Sequence, residues 1–124
     1  MTEIRHLSPQ LSIGLDNQSW VSPAVWLIDL NTGESLWEIL DLFNGEYVDW
    51  KLSKIPDTHE GNEYGFLIKP QDGDDNNSIQ YNFTYLNDAA RTMLIAEGAN
   101  RDFRVSIKSP VGFQEKEGPR AASA

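Results

Sequence analysis

Apolar and polar positions alternate with a period of two through much of the chain. This is the signature of strands with one buried face. The clearest case is "SIQYNFTYL", where Ile79, Tyr81, Phe83 and Tyr85 recur at every second position. "EYGFLIK" (63–69) and "DFRVSIKS" (102–109) also read as strands, and "PQDGDDNN" (70–77) as a polar turn. Earlier in the chain, "AVWLIDL", "ESLWEILDLF" and "EYVDWKL" are separated by "NTG" and "NG". Both separators are hairpin signals, since a glycine there can take the left-handed backbone conformation. Residues 24–52 therefore predict a three-stranded meander. Leu36, Ile39, Leu40 and Phe43 also fall at helical spacing, but the flanking turn signals favour a strand over a helix. "NDAARTMLIAEG" (87–98) fits equally a short helix, with Asn87 as its N-cap and Gly98 as its stop, or the first arm of a hairpin running on to residue 109.

Register assigns faces to the meander, because successive side chains point to opposite sides. A three-residue loop at 31–33 pairs Val25 with Ile39, Leu27 with Trp37 and Ile28 with Leu36. A two-residue loop at Asn44–Gly45 pairs Val48 with Asp41, Trp50 with Ile39 and Leu52 with Trp37. One face then collects Val25, Leu27, Trp37, Ile39, Val48, Trp50 and Leu52 as core. The other collects Trp26, Ile28, Leu30, Leu36, Leu40, Leu42 and Tyr47, with Glu38 opposite Lys51. That second face is too apolar for water, so it predicts either a second layer or a binding surface.

The segment "IDLNTGESLW" resembles the hairpin of a quinoprotein-type β-propeller repeat, through Asp29, Thr32, Gly33 and Trp37. The likeness covers ten residues and occurs once. A propeller needs several four-stranded blades, so a chain of 124 residues without repeats is not one. The resemblance implies local hairpin geometry and no function.

Charge narrows the partners. The formal net charge is −9. Residues 1–50 carry eight acids and one base, giving −7; residues 91–124 carry four acids and six bases, giving +2. Nucleic-acid phosphates require clustered Lys and Arg, so direct nucleic-acid binding is disfavoured. A basic protein would be steered toward the first half. There is no cysteine, so disulfides and thiolate metal sites are excluded. Without a signal-like N-terminus or a long apolar run, the expectation is a soluble, cytoplasmic protein with no membrane association.

Candidate chemistry is sparse. Asp72, Asp74 and Asn76 have the 1, 3, 5 spacing of a calcium loop. Asn77 stands where that loop needs Gly, and Phe83 where it needs Glu, so a hairpin turn is the better reading. His6 and His59 are the only histidines, and neither has the neighbours of a triad; no nucleophile elbow or phosphate-binding loop is present. The thirteen aromatic residues remain. Most fit core packing, but Trp26 and Tyr47 fit it less well in this register, and Trp20, ahead of the first meander strand, reads as an edge or loop ring; Trp and Tyr are favoured interface anchors.

The fold expectation is mainly β: an antiparallel sandwich or open barrel of about six to eight strands, with room for one short helix. Residues 1–112 form a single domain, with a tail over 113–124. The function expectation is a non-enzymatic acidic interaction or structural module that docks on a protein partner or on itself. It takes no cofactor or metal, and its binding residues are Trp20, Trp26, Leu36, Glu38, Leu40, Tyr47 and Lys51. Two alternatives stand beside it: a carbohydrate-binding module using exposed Trp and Tyr, and an acidic inhibitor that imitates nucleic acid.

Overall fold

The computed structural model describes residues 2–70 and 78–108. The calcium-like segment and the C-terminal tail lie outside the described residues. The described residues form nine strands: β1 (Glu3–His6), β2 (Gln10–Asn17), β3 (Ala24–Asp29), β4 (Ser35–Ile39), β5 (Tyr47–Lys51), β6 (Glu63–Lys69), β7 (Ile79–Thr84), β8 (Ala90–Glu97) and β9 (Arg104–Ile107). They make a five-stranded sheet, β1-β7-β6-β3-β4, and a four-stranded sheet, β5-β2-β8-β9. The two sheets share one core. Val25, Leu27, Phe66, Ile68, Tyr81 and Phe83 come from the first; Ile13, Leu15, Leu94, Ala96 and Val105 come from the second. The β class and the sandwich follow the sequence expectation. Segment 90–97 is a strand, and it forms a hairpin with β9.

Two pairings are parallel, β1 with β7 and β2 with β8. They share one cause. The chain from β1 through β2 runs alongside the chain from β7 through β8, and both cross between sheets at the same place. The Leu7 N–H donates to the Asn82 carbonyl, and the Leu86 N–H donates to the Gln10 carbonyl.

The β3–β4 hairpin has the predicted register at Val25–Ile39 and Leu27–Trp37. Its loop is built by Asp29, whose Oδ1 accepts the N–H of Asn31 at 2.8 Å, while Gly33 takes φ +80°. Two details differ. A bulge places Ile28 opposite Ser35, leaving Leu36 as the extra residue. Trp37, expected in the core, is 44% exposed, because among the described residues β4 is an edge strand with no neighbour beyond it.

The β4–β5 hairpin does not form. A tight turn does occur at residues 43–46, with the Glu46 N–H donating to the Phe43 carbonyl. The strand leaving it crosses to the other sheet and pairs with β2, setting Tyr47 against Asp16 and Lys51 against Ser12. Val48 and Leu52 are buried all the same. Either pairing satisfies the alternation of β5, so alternation alone could not choose between them.

Candidate functional site

The site is a pair of loops at one end of the sandwich, residues 18–23 between β2 and β3 and residues 40–46 between β4 and β5. Asn17, the last residue of β2, is fully buried between them. Its Nδ2 donates to the carbonyls of Leu42 at 2.7 Å and Val21 at 3.0 Å. Its Oδ1 accepts the backbone N–H of Ser19 at 2.9 Å and the Ser19 hydroxyl at 2.5 Å. Its own N–H donates to the Glu46 carbonyl, and its carbonyl accepts the Gly45 N–H. Further bonds close the pair. Asn44 Nδ2 donates to the Ser19 carbonyl at 2.7 Å, and Glu46 Oε1 accepts the Phe43 N–H at 2.8 Å. The Trp20 N–H donates to the Gly98 carbonyl of the β8–β9 connection. Buried polar groups satisfied this fully hold a loop in one shape.

The outward side chains of this rigid end are large and apolar. Trp20 is 81% exposed, Leu40 and Phe43 each 57%, and Tyr47, at the start of β5, 67%. Leu42 points the other way and is buried beneath them. Asp41 and Glu46 are exposed in the same loop.

The predicted binding residues do not share one face. Trp20, Leu40 and Tyr47 belong to this end. Trp26 lies half-buried on β3, opposite Glu38 and Leu67, with the Lys69 ammonium 5.8 Å from its ring centre. Leu36 packs against the core, because the bulge turns it inward. Glu38 and Lys51 are both exposed but sit in different sheets, so they are not the cross-strand pair that a β4–β5 hairpin would make. Sequence reasoning missed Phe43 and Asn17. Phe43 stands directly before Asn44–Gly45, where a ring beside a tight turn is difficult to bury. The bonds of Asn17 to Ser19 and Val21 are local and read as an ordinary turn, whereas the bond that joins the two loops, to Leu42, spans 25 residues.

The remaining chemistry is scattered. His6 is exposed at a cavity of about 180 Å³ that Leu7, Leu30, Glu63 and Asn82 also line. His59 is exposed, and its backbone N–H donates to the Tyr64 hydroxyl at 2.7 Å. Among the described residues, no group of three or more His, Asp or Glu side chains is placed to hold a metal ion, and no helix is long and apolar enough to cross a membrane. Comparison with protein-family models, curated proteins and solved structures finds no match to this chain.

Proposed function

We propose that this protein is a non-enzymatic interaction module that docks on a protein partner through the loop pair at the end of the sandwich. One observation carries the reading: four large apolar side chains, Trp20, Leu40, Phe43 and Tyr47, are more than half exposed on a backbone locked around Asn17. Exposing them costs solvation that the isolated domain does not recover. Because the loops are pre-ordered, little conformational entropy is lost on docking. Burying the four would favour association by roughly several kcal/mol at about 25 cal/mol per Å². Asp41 and Glu46 at the rim, and the −7 of residues 1–50, suit a basic partner.

The test is a photo-crosslinking amino acid at position 20 in the source cells, with and without Phe43→Asp. A discrete protein adduct that disappears with Phe43→Asp, while the melting temperature stays within a few degrees of wild type, supports the reading. Absence of any protein adduct overturns it. The carbohydrate alternative rests on another surface, where the half-buried Trp26 ring shares a sheet face with the hydrogen-bonded Gln80–Asn82 pair. Reproducible glycan-array binding that depends on Trp26 would replace protein docking with sugar stacking.

A further inference from the structure

Beside the loop pair, the outer face of the four-stranded sheet carries a groove of about 380 Å³, lined by Asp16, Gln18, Gly45, Tyr47, Met93 and Lys108. Its shape follows from the register of β5, β2 and β8. Tyr47 lies opposite Asp16 across one pairing, and Gly14 lies between Asp49 and Met93 in the next row. A Cβ at Gly14 would stand 2.9 Å from Met93 Cε, so the thioether end of Met93 lies down over the bare backbone. At the rim, a Cβ at Gly45 would meet no described residue other than its own chain neighbours within 4 Å, which leaves the mouth open.

The polar centre is Asp16. Its side chain is only 15% exposed. Gln18 Nε2 donates to Oδ1 at 2.8 Å, and Lys108 Nζ donates to Oδ2 at 2.8 Å. A carboxylate accepts about four hydrogen bonds, so each oxygen retains capacity for another donor. The exposed Tyr47 ring offers a π face beside it, and such faces attract cations. The chain already seats a cationic side chain here: Lys108 reaches Asp16 from 92 residues away. Its side chain remains 47% exposed, so water competes for the ammonium and Lys108 can swing away while Asp16 stays in place.

We propose that this groove receives an arginine side chain of the basic partner, its guanidinium on the Asp16 carboxylate beside the Tyr47 ring, with Lys108 released toward solvent. Arginine suits the seat better than lysine, because its planar fork reaches both carboxylate oxygens and stacks on an aromatic ring. The proposal rests on the docking reading above, since Gln18, Gly45 and Tyr47 join the groove to the loop pair. It adds the chemical feature by which the partner is chosen.

The experiment titrates the full chain with N-acetyl-arginine amide at low ionic strength, following backbone amide shifts. N-acetyl-citrulline amide, uncharged and nearly isosteric, is the control. Saturable shifts at Gln18, Gly45, Tyr47 and Met93 are expected with arginine and not with citrulline. Asp16→Asn should weaken binding at least tenfold. Lys108→Met should strengthen it about threefold, by removing the chain's own competitor. No saturable shift at tens of millimolar, equal response to citrulline, or unchanged affinity in Asp16→Asn would overturn the assignment. The two readings fail separately. Loss of the position-20 adduct with arginine binding intact removes the docking surface alone; a Phe43-dependent adduct without arginine binding removes the groove alone.

Discussion

Asn17 uses every hydrogen-bonding position of its side chain and both of its backbone groups to join two loops. The Val21 carbonyl also lies 3.2 Å from the Ser19 hydroxyl, which can take over as its donor, but the Leu42 carbonyl depends on the Asn17 amide. Asn17→Ala should therefore lose about 1–3 kcal/mol in urea denaturation, because a buried carbonyl is left unpaired. Asn17→Asp should be no better, since a carboxylate cannot donate to those carbonyls and would face them with a buried charge. A loss below about 1 kcal/mol in the Ala variant would show that the loops hold without this residue. Sequence patterning could not single out Asn17. A polar residue closing an apolar strand is ordinarily a turn residue in water, and only its distant partners make it a buried clamp.

At the scale of elements, β5 decides the architecture of this end. Its attachment to β2 depends on Gly14, where a Cβ would come within 2.3 Å of the Val48 carbonyl oxygen. That obstacle is backbone, so it cannot rotate away. Gly14→Ala should push β5 off β2, costing about 1–3 kcal/mol or more. It should also speed amide exchange across Tyr47–Lys51 before the rest of the sandwich is affected. Uniform exchange over both sheets would count against this local weakness. The same element shows how far pattern reading reaches. Asn44–Gly45 does mark a turn, with Gly45 at φ +87°. Yet Gly45 and Glu46 bond to Asn17 rather than extending a ladder with β4. The β3–β4 register was legible because Asp29, Thr32 and Gly33 fix the loop through contacts within five residues.

Across the whole molecule, Arg5 joins the two sheets on the side where β1 and β9 are the edges. Its Nη1 donates to the Tyr81 hydroxyl at 2.7 Å and to the Val105 carbonyl at 2.6 Å, and Glu3 pairs with its Nε. Burial raises the Tyr81 pKa above the ordinary phenol value, and the hydrogen bond from Arg5 only partly opposes this. A tyrosine whose folded pKa lies above its unfolded one contributes stability that is complete below the unfolded pKa. That stability is lost as pH rises from about 10, the unfolded phenol pKa, through the higher folded value. Wild type should therefore weaken above about pH 10, and Tyr81→Phe should weaken less steeply over the same range. Parallel denaturation curves from pH 8 to 11 provide the check; identical slopes would remove Tyr81 from the account.

What the sequence determined by itself was the β class, the alternation that buries Tyr81, Phe83 and Tyr85, and the β3–β4 hairpin. Each depends on side chains close together in the chain or on a simple period. Tertiary structure alone decided that β5 leaves β4 for β2, that two pairs run parallel, and that Trp20, Leu40, Phe43 and Tyr47 gather at one end while Trp26 and Leu36 do not. The physical reason is that a strand's pattern specifies which face is buried but not which strand lies beside it. That choice is made by long-range contacts such as Asn17 with Leu42, Gly14 against Val48, and Arg5 with Val105, which exist only once distant parts of the chain have come together.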